Sequence, residues 1–122
     1  CAPDYSKIIL LGHLKKRGYK LACCSNSIKE TLHLMLKSAG LFDHFDLIIG
    51  NDEVNNPKPH PEIYLTAFKR LGVQPNECII VEDSPHGIES AEASGATVYK
   101  VRNTEDVNLS LFEKLLNNHE KI

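Results

Sequence analysis

Three short stretches of this 122-residue sequence carry residue types that could do chemistry. In ECIIVEDSPHG, residues 77–87, an apolar run ends in two adjacent acids, Glu82 and Asp83. Their charges repel, and a hard divalent cation would relieve that repulsion, with phosphate and water completing its oxygen shell. In LACCSNS, residues 21–27, Ser25 and Asn26 stand directly before a helix signal. Free N–H groups and partial positive charge at a helix start favour an anion, which the Ser25 hydroxyl and Asn26 backbone N–H could hold together. In NPKPHPE, residues 56–62, Pro57 and Pro59 restrict the backbone on both sides of Lys58. A lysine that must keep its ammonium beside a ligand's negative charge would benefit from that bracing.

Each stretch also has an ordinary structural explanation. Ser25 could simply end a strand while Ser27 caps a helix, and Lys58 could be a solvated residue in a proline-rich turn. Asp83 could cap the helix that follows, which leaves Glu82 unexplained. The six histidines show no metal-ligand spacing such as H-E-x-x-H; surface or helix-end positions are expected for them.

The elements that must position these residues alternate between helix-like and strand-like segments, the pattern of a parallel α/β protein. Helices are expected over 5–17, from 28 to a stop at Gly40, from Pro61 to Gly72, over 86–94, and over 109–118. Ser27 and Glu30 form an S-x-x-E pattern that predicts a capping box for the second helix. Strands are expected over 19–25, 46–50, 78–83 and 97–101. Continuous apolar runs such as CIIV imply helices on both sheet faces. In such folds ligands gather beyond the carboxyl ends of the strands, where all three stretches fall.

Composition sets the outer bounds. With 42% hydrophobic and 25% charged residues, the length suits one domain over residues 1–122. A formal net charge of −2 with no basic stripe argues against a nucleic-acid partner. No apolar run approaches the roughly 20 residues needed to cross a membrane. Cys23, Cys24 and Cys78 lie in apolar runs and no C-x-x-C pair occurs, so free thiols in a reducing, cytoplasmic compartment are expected. The opening CAPDYSK has neither an initiator Met nor a secretory signal, which suggests the continuation of a longer chain.

In order, LACCSNS, NPKPHPEIY and IIVEDSPHGIESAEASGA resemble the second, third and fourth motifs of the haloacid dehalogenase superfamily. The similarity is to the β-phosphoglucomutase and phosphoglycolate phosphatase-like subgroup and runs over residues 5–102. It implies a Rossmann-like three-layer sandwich with a mostly parallel sheet and an Mg²⁺-dependent phosphatase or phosphomutase acting on a small phosphorylated metabolite. It further implies that Ser25 and Asn26 hold the transferring phosphoryl group and that Lys58 is the catalytic lysine neutralising its oxygens. Asp83 would ligate Mg²⁺, with Glu82 a second or water-mediated ligand.

One departure is plain. The family's first motif, a strand ending in D-x-D that supplies the nucleophile, has no counterpart, since Asp4, Asp43, Asp46, Asp52, Asp83 and Asp106 include no D-x-D pair. The substrate-selecting cap is missing too. An incomplete core is therefore expected, lacking the central strand between LACCS and CIIVED, inactive alone, and open to strand exchange or dimerisation. The alternative is a non-catalytic phosphate- or Mg²⁺-binding or interaction module of the same fold.

Overall fold

The computed structural model describes residues 3–120; Cys1 and the side chain of His119 lie outside the described set. The order is α1 (Tyr5–Lys16), β1 (Ala22–Cys24), α2 (Lys29–Ala39), β2 (Leu47–Ile49), α3 (Glu62–Leu71), β3 (Ile79–Glu82), α4 (Pro85–Ala93), β4 (Thr97–Lys100) and α5 (Leu109–Glu120). Short 3-10 turns fill several connections. Every strand is shorter than the span expected for it, because only the central residues find a ladder partner. The four glycines that follow α1, α2, α3 and α4 take left-handed φ between 71° and 89°, a conformation open to glycine at little cost.

All strand pairing is parallel. β1 pairs with β2 in the register Cys23 opposite Ile48, and β3 pairs with β4 with Ile80 opposite Val98. Among the described residues these are two separate two-stranded sheets. β1 and β3 do not close on each other, as expected of a sheet whose central strand is missing. The effect on burial is direct: Ala22 is exposed and Cys23 and Cys24 only half-buried, where the apolar run predicted a fully covered strand.

Two apolar clusters cover opposite faces. Ile63, Tyr64, Ala67 and Phe68 of α3 pack with Ile49 of β2, Ile80 of β3 and Ala91 of α4. Leu10 and Leu14 of α1 pack with Leu116 of α5, and Ile79 joins them from β3. Ile79 and Ile80 thus serve opposite sides, the period-two alternation of a strand covered on both faces. α3 thus packs residues of both sheets, Ile49 of β2 and Ile80 of β3, into one cluster across the gap. No helix among the described residues is long and apolar enough to cross a membrane.

The capping box predicted for α2 does not form. Ile28 occupies the N-cap with extended backbone and makes no side-chain cap bond. Ser27 is instead drawn into a turn: its N–H donates to Ser25 Oγ at 3.1 Å, and its carbonyl accepts from Asn51 N at 2.9 Å. The first free N–H of the helix, that of Lys29, donates to Asp52 Oδ1 at 2.8 Å, so the cap arrives from the loop after β2.

Candidate active site

β1 ends at Cys24 and β3 ends at Glu82, and one side chain ties these ends together. Lys58 Nζ donates to Cys24 O at 2.9 Å and to Glu82 Oε2. The Lys58 and Glu82 side chains are 7% and 8% exposed, so this ion pair is buried. Two of the three ammonium N–H bonds are engaged, leaving one for a ligand. The peptide between Lys58 and Pro59 is cis. Glu62, the first residue of α3, stiffens the loop by accepting from Asn55 N at 2.9 Å and from Asn56 N and Asn56 Nδ2 at 3.0 Å.

The Glu82 carboxylate is held inside the fold. Its Oε2 accepts both from Lys58 and from the Tyr64 hydroxyl. Its carboxylate also lies so close to Gly87 of α4 that a Cβ there would overlap it. A buried carboxylate needs paired charge and hydrogen bonds, and Lys58 and Tyr64 supply both. The adjacent-acid motif therefore splits. Glu82 faces inward to anchor the lysine, and Asp83 is exposed at the end of β3. Asp83 does not cap α4 either; Ser84 does, accepting from Gly87 N at 3.1 Å.

Tyr64 is the residue that pattern reading missed. Its place in the apolar face of α3 is borne out, but its hydroxyl is a working donor. Burial, and then the bond to Glu82, hold its phenol well above the ordinary value, so it stays protonated as a donor. Its ring face lies 5.0 Å from Lys58 Nζ, within cation–π range. The available signal was that a buried phenol nearly always has a polar partner.

Ser25 sits directly after Cys24, half-buried, and its Oγ accepts from Ser27 N. Its hydroxyl proton is then left to donate outward. Asn26 is exposed beside it. Burial pushes the neighbouring Cys24 thiol up to about 12. Among the described residues no group of three His, Cys, Asp or Glu side chains could hold a metal ion. A hard cation here would rest on Asp83, with phosphate and water supplying its other oxygens.

Fold and strand ends together define a Rossmann-like α/β protein whose polar groups collect at the carboxyl edge. The sequence profile of the haloacid dehalogenase-like hydrolases matches residues 5–101, and the chain belongs to that family. It is 40% identical over 82 residues to pyrophosphatase PpaX of Bacillus pumilus, an alignment covering 67% of this chain and 38% of that protein. It is 38% identical over 93 residues to the bifunctional riboflavin kinase/FMN phosphatase of Arabidopsis thaliana, covering 75% of this chain and 24% of that one. Among solved structures, β-phosphoglucomutase from Clostridium difficile superposes with a TM-score of 0.79 at 27% identity, over 98% of this chain and 56% of the other. A haloacid dehalogenase phosphatase from Thermococcus onnurineus gives 0.79 at 33% identity, over 91% and 56%. The chain thus spans well under two thirds of these relatives.

Proposed function

We propose that this chain forms the phosphate-holding part of a Mg²⁺-dependent phosphatase or phosphomutase acting on a small phosphorylated metabolite. The observation that carries the reading is the Lys58 ammonium, held by Cys24 O and Glu82 and so bridging the ends of β1 and β3. A phosphoryl group there would meet the remaining ammonium N–H, the Ser25 hydroxyl proton and the Asn26 backbone N–H. Positioned positive charge of this kind does most of the work in phosphoryl transfer. Asp83 is the carboxylate for Mg²⁺, which when bound neutralises further phosphoryl charge. The relatives' names, pyrophosphatase, FMN phosphatase and phosphoglucomutase, all describe phosphate chemistry and support the reaction class. Free thiols at Cys23, Cys24 and Cys78 support a reducing, cytoplasmic setting.

Turnover needs a nucleophile, and with no D-x-D pair in the sequence we infer that these 122 residues bind phosphate without hydrolysing its esters. With 4-nitrophenyl phosphate and Mg²⁺ no release is expected; turnover abolished by Asp83→Asn would overturn the inactivity. Inorganic phosphate should bind in calorimetry and lose its heat signal in Lys58→Ala. Equal thermal midpoints with and without Mg²⁺ and phosphate would refute the site.

One observation favours a second reading, a non-catalytic binding module. The acid on Lys58 is Glu82, buried and with Oε2 already accepting from Lys58 and Tyr64, so it is poorly placed to attack a phosphoryl group. Adding a polypeptide that carries a D-x-D strand separates the two. Restored turnover supports the enzyme, with the open edges of β1 and β3 receiving the strand, and unchanged inertness supports the module.

A further inference from the structure

Tyr64 has no part in the roles above, yet it touches both members of the buried ion pair. Its hydroxyl donates to Glu82 Oε2, and its ring faces Lys58 Nζ at 5.0 Å. Glu82 ends β3 next to exposed Asp83, its backbone paired with Lys100 of β4 on one side and unpaired with β1 on the other. Without the phenol, only the ion pair with Lys58 holds that oxygen, and the carboxylate gains freedom to turn away from the ammonium. Lys58 would then retain only Cys24 O as a fixed acceptor.

We propose that Tyr64 is a positioning residue, whose hydroxyl locks the Glu82 carboxylate onto Lys58 and so aims the free ammonium N–H at the strand-end oxyanion site. Gly87 completes the lock, since a side chain there would occupy the place of the carboxylate. Two donors on one oxygen and a glycine behind the group leave the carboxylate a single seat. The same lock commits Glu82 to the lysine and leaves Asp83 the only carboxylate of the pair free for a cation. The consequence for phosphate rests on the proposed function; the effect on Lys58 does not.

The test reads Lys58 directly. In the parent chain, the Lys58 ammonium should give a protected ¹H–¹⁵N signal, assigned by its loss in Lys58→Arg, and the Tyr64 hydroxyl proton should exchange slowly and show a nuclear Overhauser contact to Lys58. Tyr64→Phe keeps the ring and removes the donor. It should speed water exchange at Lys58 by about tenfold or more and weaken inorganic phosphate binding by a similar factor, the scale of a lost hydrogen bond to a charged group. Phe68→Leu, a loss of packing in the same helix, should leave Lys58 exchange unchanged. Unaltered Lys58 exchange in Tyr64→Phe overturns the proposal. So does the lack of a protected Tyr64 hydroxyl in the parent, a result that needs no variant to fold. A protected ammonium in a parent that binds no phosphate sinks the proposed function and leaves the positioning role standing.

Discussion

Asp52 Oδ1 accepts the first free N–H of α2, that of Lys29, at 2.8 Å, although the two residues are 23 positions apart. The negative charge also sits at the positive end of the helix. The cap is therefore a tertiary contact, and it closes the β2 loop over the start of α2. Removing a cap of this kind costs about 1 kcal/mol. Asp52→Ala should lower the unfolding free energy, measured in urea, by that amount, and Ser27→Ala by clearly less, because Ser27 takes part here through its backbone. If Ser27→Ala costs more than Asp52→Ala, the assignment of the cap is wrong.

The same substitution should have opposite signs in two helices. Gly12 in α1 has nothing within 4 Å of where a Cβ would stand. Gly12→Ala should stabilise by up to about 1 kcal/mol through helix propensity alone. Gly87 in α4 backs onto the Glu82 carboxylate. Gly87→Ala forces that carboxylate or the helix to move, a clash of the kind that costs about 1–3 kcal/mol. Thermal midpoints of the two variants should move apart. A stabilising Gly87→Ala would mean the carboxylate is not where it is described.

These contacts show what a linear reading reaches and what it does not. The strand centres and the glycine stops follow from spacing and local backbone preference and are found, whereas the apolar spacing of α2 buries Leu32 but leaves Met35 51% exposed. The Ser27–Glu30 pattern failed because its local bonds lost to distant ones, from Asn51 and Asp52. Glu82 and Asp83 share a motif but not an environment, and only the fold decides which faces Lys58, 24 residues away. Tyr64 satisfied the apolar pattern of α3 so well that its polar end carried no periodic signal. Elements were legible because their causes are local. The joints between them were not, because each depends on a partner from another loop.

Asp46 makes a third such joint, and it titrates. Its Oδ1 accepts from Lys15 Nζ at 2.6 Å, at the end of α1, and its Oδ2 accepts from Leu21 N at 2.7 Å, ahead of β1. The Lys15 bond first, then the Leu21 N–H, holds its carboxyl below the ordinary carboxylate value. A carboxyl whose folded pKa is depressed contributes its stability in full above its unfolded pKa of about 3.9 and loses it as pH falls through the lower folded value. Asp46→Asn should therefore destabilise at pH 7, and its deficit against the parent should shrink steadily on acidification below about pH 4. A deficit independent of pH, measured by urea unfolding, would show that the charge of Asp46 contributes nothing.

The Lys58–Glu82 pair offers the sharpest energetic test, because both groups are buried and each is the other's charge partner. Truncating one member leaves an uncompensated charge in the interior, which costs about 3–5 kcal/mol. Lys58→Met should approach that loss, since Cys24 O and the Tyr64 hydroxyl cannot neutralise Glu82. Glu82→Gln should cost less, because the amide oxygen still accepts from Tyr64 and the ammonium keeps Cys24 O beside the open strand edge. Combining the two removes both charges together, so the double variant should be more stable than Lys58→Met alone. The sum of the single losses should then exceed the double loss by more than about 1 kcal/mol, well beyond the scatter expected of independent sites. Additive losses would mean that the ammonium and the carboxylate do not feel each other, and the phosphate site built around their contact would lose its anchor.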